Sequence, residues 1–183
     1  VAPRFFIRGL GNTDFDLAAS QPVSIIMDEV VMENVVLKSF PLFDVQQVEV
    51  LRGPQGTLFG RNTTAGIVKF DTVKPSQDFE GFAKLGYGSY NTVNLEAAVG
   101  GGLTDDLSGR FSVLSQHRDD YIDNGFTGQD DALGGFDERA WRAQLLYEPN
   151  SRFSALLNVH GRSLEATASI FRANIFDKGS NDL

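Results

Sequence analysis

From Phe79 onward, every second residue is apolar over runs of about ten residues, and no other feature of the chain narrows its fold as much. Phe79, Gly81, Ala83, Leu85 and Tyr87 alternate with Glu80, Phe82, Lys84 and Gly86, and Val93, Leu95, Ala97 and Val99 with Thr92, Asn94, Glu96 and Ala98. Leu107, Gly109, Phe111 and Val113 alternate with Ser108, Arg110, Ser112 and Leu114. Trp141, Ala143, Leu145 and Tyr147 alternate with Arg142, Gln144, Leu146 and Glu148, and Phe153, Ala155, Leu157 and Val159 with Ser154, Leu156, Asn158 and His160. A period of two belongs to a β-strand, whose successive side chains point to opposite faces.

Strand length separates the possible β architectures. Strands of soluble sandwiches average about five or six residues. Ten residues rising about 3.3 Å each and tilted by about 45° cover about 23 Å, which is close to the apolar band of an outer-membrane barrel. The pattern therefore favours a barrel wall, apolar towards lipid and polar towards the lumen. Phe79, Tyr87, Trp141, Tyr147 and Phe153 are expected near strand ends on the outer face, where an aromatic girdle would sit. Connections at 88–90, 101–106 and 148–151 are short, whereas 119–139 and the segment after Ser163 are long. Tight turns belong on the periplasmic side and long loops outside. The first strand then runs outward, with a small first outer loop.

Apolar runs are too short for a spanning helix, which needs about 20 residues, but that does not count against spanning strands. A net charge of -8 argues against nucleic acid as a partner, because such a partner wants a basic face. There are no cysteines, so disulfides, thiolate metal sites and cysteine nucleophiles are excluded. Val1-Ala2-Pro3-Arg4-Phe5 lacks the basic start and apolar core of a signal peptide, so an exported protein would need one upstream.

Before about Pro75 the chain has a different character. Phe5–Gly9 and Val23–Asp28 read as short strands joined by a loop rich in Gly, Asn, Asp and Ser, and Pro41–Gln47 as a helical turn or two. Then comes Val48-Glu49-Val50-Leu51-Arg52-Gly53-Pro54-Gln55-Gly56-Thr57-Leu58-Phe59-Gly60-Arg61-Asn62, followed by Thr63-Thr64-Ala65-Gly66-Ile67-Val68. Read physically, it is a strand, a compact turn whose glycines reach backbone angles closed to other residues, and a second strand. Arg52 and Arg61 stand at the ends of the turn, where a guanidinium fork could clamp a carboxylate. The whole makes a small α+β domain, poorly able to stand alone.

That run resembles the plug-domain signature of TonB-dependent outer-membrane receptors over about twenty consecutive positions. Gly53, Pro54, Gln55, Gly56, Gly60, Asn62 and Gly66 match its turn. Ile7-Arg8-Gly9 is similar to the family's first plug strand, and Met27-Asp28 to an Asp-Gly strand end in which Glu29 replaces glycine. A residue other than glycine resists positive φ, so a different turn shape is expected there. Ala65 also stands where many members have glycine.

The resemblance implies an α+β plug domain over 1–75 and antiparallel strands of a transmembrane β-barrel over 76–183, about five of the family's twenty-two. It implies active uptake of a scarce ligand across the bacterial outer membrane, with no enzyme activity and no cofactor. TonB, with its inner-membrane energising complex, would be the partner, pulling on an upstream segment. Outer-membrane lipid would surround the wall. A ferric siderophore is the commonest family ligand, but cobalamin, haem or an oligosaccharide would leave the same signature. Arg8 and Arg52 match plug arginines that latch onto wall glutamates. Ligand-contact candidates at the plug apices are Asn12, Asp14 and Phe15 in one loop and Glu33 and Asn34 in another. Rival readings are a passive pore, a soluble periplasmic α+β binding protein and a truncated receptor remnant that does not transport.

Other chemistry is not encoded. Gly53–Asn62 lacks the Gly-Lys-(Ser/Thr) ending of a phosphate loop, Gly86-Tyr87-Gly88 lacks the third glycine of a dinucleotide fingerprint, and His117 and His160 have no companion motif. The acidic stretch 119–139 could hold Ca²⁺ through carboxylate oxygens, but it lacks EF-hand spacing and reads more simply as a solvated loop.

Overall fold

A computed structural model of the chain describes residues 4–12, 19, 21–32 and 39–168. Asp14, Phe15, Glu33 and Asn34 lie outside the described residues. Strands β1 (Val23–Met27), β2 (Val30–Val31), β3 (Val45–Arg52) and β4 (Gly66–Thr72) form one sheet in the order β2-β1-β4-β3. β1 runs parallel to β4, with Val23 opposite Gly66 and Met27 opposite Phe70, while the other pairs are antiparallel. The central position of β4 explains why Gly66, Ile67, Val68, Phe70 and Thr72 are all buried. Val68 and Phe70 of β4 pack with Ile7, Val23, Ile25, Met32 and Ala65 into one core.

Three local expectations change. Phe5–Gly9 is not a strand: Ile7 makes a single bridge to Leu10, and Arg8 and Gly9 between them both have positive φ, a tight turn. Pro41–Gln47 is not helical. Asp44 has φ of 50°, which no helix accommodates, and β3 begins at the next residue. Glu29 adopts φ of 69° beside Asp28 at 46°, the left-handed conformation it was expected to resist. Lys69 holds it there across the sheet, with its Nζ 2.7 Å from the Glu29 carboxylate. Lys69 also contacts Asp71 at 3.2 Å, and hydrogen bonds to the two carboxylates push its pKa up to about 12.

Strands β5 (Glu80–Gly88), β6 (Thr92–Thr104), β7 (Leu107–Arg118), β10 (Phe136–Asn150) and β11 (Phe153–Ala166) form an antiparallel sheet in the order β11-β10-β7-β6-β5. A hairpin of β8 (Ile122–Asn124) and β9 (Gln129–Leu133) occupies the long connection between β7 and β10. The alternation reads correctly: Val93, Leu95, Val99, Phe111, Leu145, Tyr147, Leu157 and Val159 are exposed on one face. Ser108, Arg110, Ser112, Arg142 and Gln144 are buried on the other.

Several strands outrun their apolar stretch. β6 continues to Thr104, leaving Asp105 and Asp106 as the turn, because backbone pairing with β7 proceeds whatever the side chains are. Since β10 starts at Phe136, Trp141 stands mid-strand opposite Val113 rather than near an end. Its indole covers Gly161 on β11, where an added Cβ would fall 2.7 Å from the indole nitrogen. No described helix is long and apolar enough to cross a membrane, which has no bearing on strands.

Candidate functional site

The two sheets meet on the buried face of the wall. Phe43 inserts against Leu114 of β7 and Ala140 of β10, with Phe40 beside it. This apolar contact excludes water from the residue that follows, Asp44, whose side chain has no exposure. A bare carboxylate there would cost several kcal/mol, so the surroundings must compensate it.

They do so with groups from two strands, β7 and β10. Arg110 on β7 donates from Nε at 2.8 Å and from Nη2 at 2.6 Å to the two Asp44 oxygens, a forked pair. The Ser112 hydroxyl donates to the same carboxylate. Arg142 on β10 donates from Nη2 to the Phe43 carbonyl at 2.9 Å and the Asp44 carbonyl at 3.2 Å, with the carboxylate 3.8 Å away. Its guanidinium lies 4.7 Å from the centre of the Phe43 ring. The Asp44 amide donates to Glu96 of β6 at 2.9 Å. Burial alone would push the Asp44 carboxyl up, but the hydrogen bonds from Arg110 and Ser112 and the positive charge of both arginines hold it below the usual carboxylate range.

Two further contacts extend this junction. Thr72, at the end of β4, donates from its hydroxyl to Asp28 at 2.8 Å and accepts from the Gln144 amide of β10 at 3.2 Å. Arg162 of β11 reaches the Ser39 hydroxyl at 3.1 Å while its Nε holds Glu138 at 2.6 Å. The first sheet is thus fastened to four wall strands, β6, β7, β10 and β11, by hydrogen bonds as well as by Phe43.

The signature turn is a separate unit. The Gly53 amide bonds the Ala65 carbonyl at 2.9 Å and the Gln55 amide the Thr63 carbonyl at 3.1 Å. One helical turn, α1 (Gly56–Phe59), follows Pro54, and the buried Thr63 closes it through its hydroxyl on the Gly60 carbonyl at 2.8 Å. Gly53, Gly60 and Asn62 have positive φ of 97°, 78° and 65°, whereas Gly56 sits in ordinary helix. At Gly66 an added Cβ would fall 2.2 Å from the Leu51 carbonyl oxygen, so only glycine lets β3 and β4 approach.

Arg8 and Arg52 are both exposed, and neither is ion-paired among the described residues. Their segments are neighbours: Arg52 pairs with Gly66, against which Ile7 packs. Asn12 is half-buried beyond the Arg8 turn. Asp44, Arg110, Ser112 and Arg142, which form the built site, were not among the residues singled out from the sequence. One signal was available, since an arginine within the inward set of a strand needs a buried acceptor, but nothing local pointed to Asp44.

The acidic connection disperses its charges. His117 bridges Asp137 and Asp119 at 2.9 Å each, Asp120 accepts from the Gly135 amide and the Thr167 hydroxyl, and Asp123 accepts from the Asp131 amide. Among the described residues no three such groups converge on a metal position.

Residues 1–67 match the family model described as the TonB-dependent receptor plug domain. The pesticin receptor of Yersinia enterocolitica is 39% identical over 95 residues, covering 51% of this chain and 14% of that one. The vitamin B12 transporter of Vibrio vulnificus is 24% identical over 142 residues, 78% of this chain and 22% of its own. Among solved structures, the ferric yersiniabactin uptake receptor of Yersinia pestis superposes with a TM-score of 0.73 at 29% identity, covering 80% of this chain and 23% of that one. The chain therefore spans less than a quarter of each of these relatives. Signature, fold and relatives agree: residues 1–67 match the plug domain of TonB-dependent receptors, and the strands that follow are similar in fold to an unclosed run of the barrel wall of such receptors.

Proposed function

We propose that the receptor containing this chain takes up a ferric siderophore across the outer membrane, energised through TonB. Residues 1–75 form its plug and residues 76–183 the opening strands of its barrel. The observation that carries this reading is the buried Asp44 junction, which seats a plug on the inner face of a lipid-facing wall. A seated plug makes a passive pore unfit as a description. Siderophore is favoured as cargo because the ferric yersiniabactin uptake receptor shares 29% identity over 80% of this chain. The vitamin B12 transporter makes cobalamin the competing cargo. Asn12, Asp14, Phe15, Glu33 and Asn34 remain the candidate ligand contacts on the plug, and Arg8 and Arg52 the candidates for pairing with wall glutamates.

The test is uptake of radiolabelled iron as ferric siderophores by iron-starved cells carrying or lacking the gene, with and without TonB. Loss of uptake in both deletions supports the reading. Undiminished iron uptake together with lost cobalamin uptake would overturn the cargo. For the latch, Arg52→Ala in the complete receptor is expected to increase leakage of small solutes, and unchanged permeability with unchanged uptake would remove it.

A further inference from the structure

The outer face of the wall is not uniformly covered. Gly101 of β6 and Gly109 of β7 are register partners on that face, so two neighbouring positions lack side chains. Phe79 overhangs Gly101, with its ring 3.5 Å from where a Cβ would stand. Leu103 and Leu145 lean over Gly109 at 3.2 Å and 3.4 Å on the same measure. Val99 and Phe111, also register partners, close the outward end. The result is an open apolar hollow of about 500 Å³.

Position and charge identify what fills it. The hollow faces away from the plug, on the side that meets lipid. It lies towards the tight turns at Asp105-Asp106 and Ser151-Arg152, the periplasmic side of such a wall, and hence in the inner leaflet. At its turn end Asp105 and Asp106 are both exposed, and exposed Asp78 adjoins Gln77, which bonds Gly102 and the Asp105 carbonyl; Arg152 is exposed on the neighbouring turn. An anionic headgroup would be repelled there, and a headgroup bearing an ammonium would be attracted.

We propose that the Gly101–Gly109 hollow binds one acyl chain of an ammonium-bearing phospholipid of the inner leaflet, with its headgroup against Asp105 and Asp106. The chain fills the volume left by the two missing side chains, restoring contacts that a gap would forfeit. The proposal rests on the lipid-facing wall and is independent of the transported ligand.

The test uses the complete receptor, reconstituted in equimolar phosphatidylethanolamine and phosphatidylglycerol, extracted in mild detergent and weighed intact by native mass spectrometry. The unaltered receptor is expected to retain one phosphatidylethanolamine. Gly109→Leu, whose side chain would occupy the hollow, should reduce that adduct by about tenfold, a change of about 1.4 kcal/mol. Leu145→Trp covers the hollow from the next strand and should do the same, which guards against one variant failing to fold. Heat-modifiable gel migration identifies folded barrels. Asp105→Asn with Asp106→Asn should keep a retained lipid but abolish the preference between headgroups. Equal retention in the two hollow-filling variants, or phosphatidylglycerol retained as well as phosphatidylethanolamine by the unaltered receptor, would overturn the proposal.

Discussion

Asp44 is the residue on which the attachment between plug and wall turns. Removing one partner of a buried ionic group strands the others, at about 3 to 5 kcal/mol. Asp44→Ala in the complete receptor is therefore expected to lower the plug's unfolding free energy by about that amount, measured by denaturant titration of a plug-sited fluorophore. Replacing Asp44 and Arg110 together by apolar residues should cost less than Asp44→Ala alone, because fewer charges remain buried without a partner. The acid dependence follows from the lowered carboxyl. A group depressed in the folded state stabilises above its unfolded pKa of about 3.9, and that contribution is lost as pH falls through the folded value. Plug attachment should thus be insensitive to this group from pH 8 to about pH 4 and weaken only below it. Asp44→Asn should remove that acid-dependent part, as read from plug stability against pH. Glu29 tests strain at the same scale. Its positive φ disfavours a branched side chain, so Glu29→Val should cost more than about 1 kcal/mol by chemical denaturation, whereas Glu29→Gly trades the exposed ion pair with Lys69 for relief of strain.

Among the elements, β3, the signature turn and β4 stand or fall together. The turn holds its shape through bonds from Gly53 and Gln55 to Ala65 and Thr63, and β3 reaches β4 because Gly66 has no side chain. The obstacle at Gly66 is backbone, the Leu51 carbonyl, which cannot rotate away as a side chain could. Gly66→Ala should separate the two strands near Arg52 and be read as lost amide protection at Leu51 and Ile67. Gly53→Ala, with φ of 97° but open space around it, should be milder. The strand-turn-strand reading and the five wall strands were legible because their signals are local: β-formers, turn glycines and a period of two. Pro41–Gln47 misled because proline before a polar-apolar mixture is also what a helix start looks like. What prevents a helix is the seating of Phe43 and Asp44 on residues 66 to 99 positions later in the chain. The same distance in sequence hid the junction itself.

At the scale of the whole molecule, β5 and β11 are open edges among the described residues, and an open edge in lipid leaves amides and carbonyls unpaired. Residues 1–183 expressed alone should fail to give a heat-modifiable, membrane-inserted species, whereas the complete receptor should. Stable insertion of the piece would mean that its edges pair with each other between copies.

What the sequence determined by itself was the plug signature, with its resemblance to outer-membrane receptors, and the two faces of the wall, because each depends on residues a few positions apart. Tertiary structure decided the rest. Whether Arg110 and Arg142 line water or grip Asp44 depends on where a distant segment comes to lie, and burial is what converts an ordinary carboxylate into an anchor. The same holds outside the wall, where Gly101 and Gly109 are unremarkable singly and leave a hollow only because β6 and β7 pair in a register that sets them side by side.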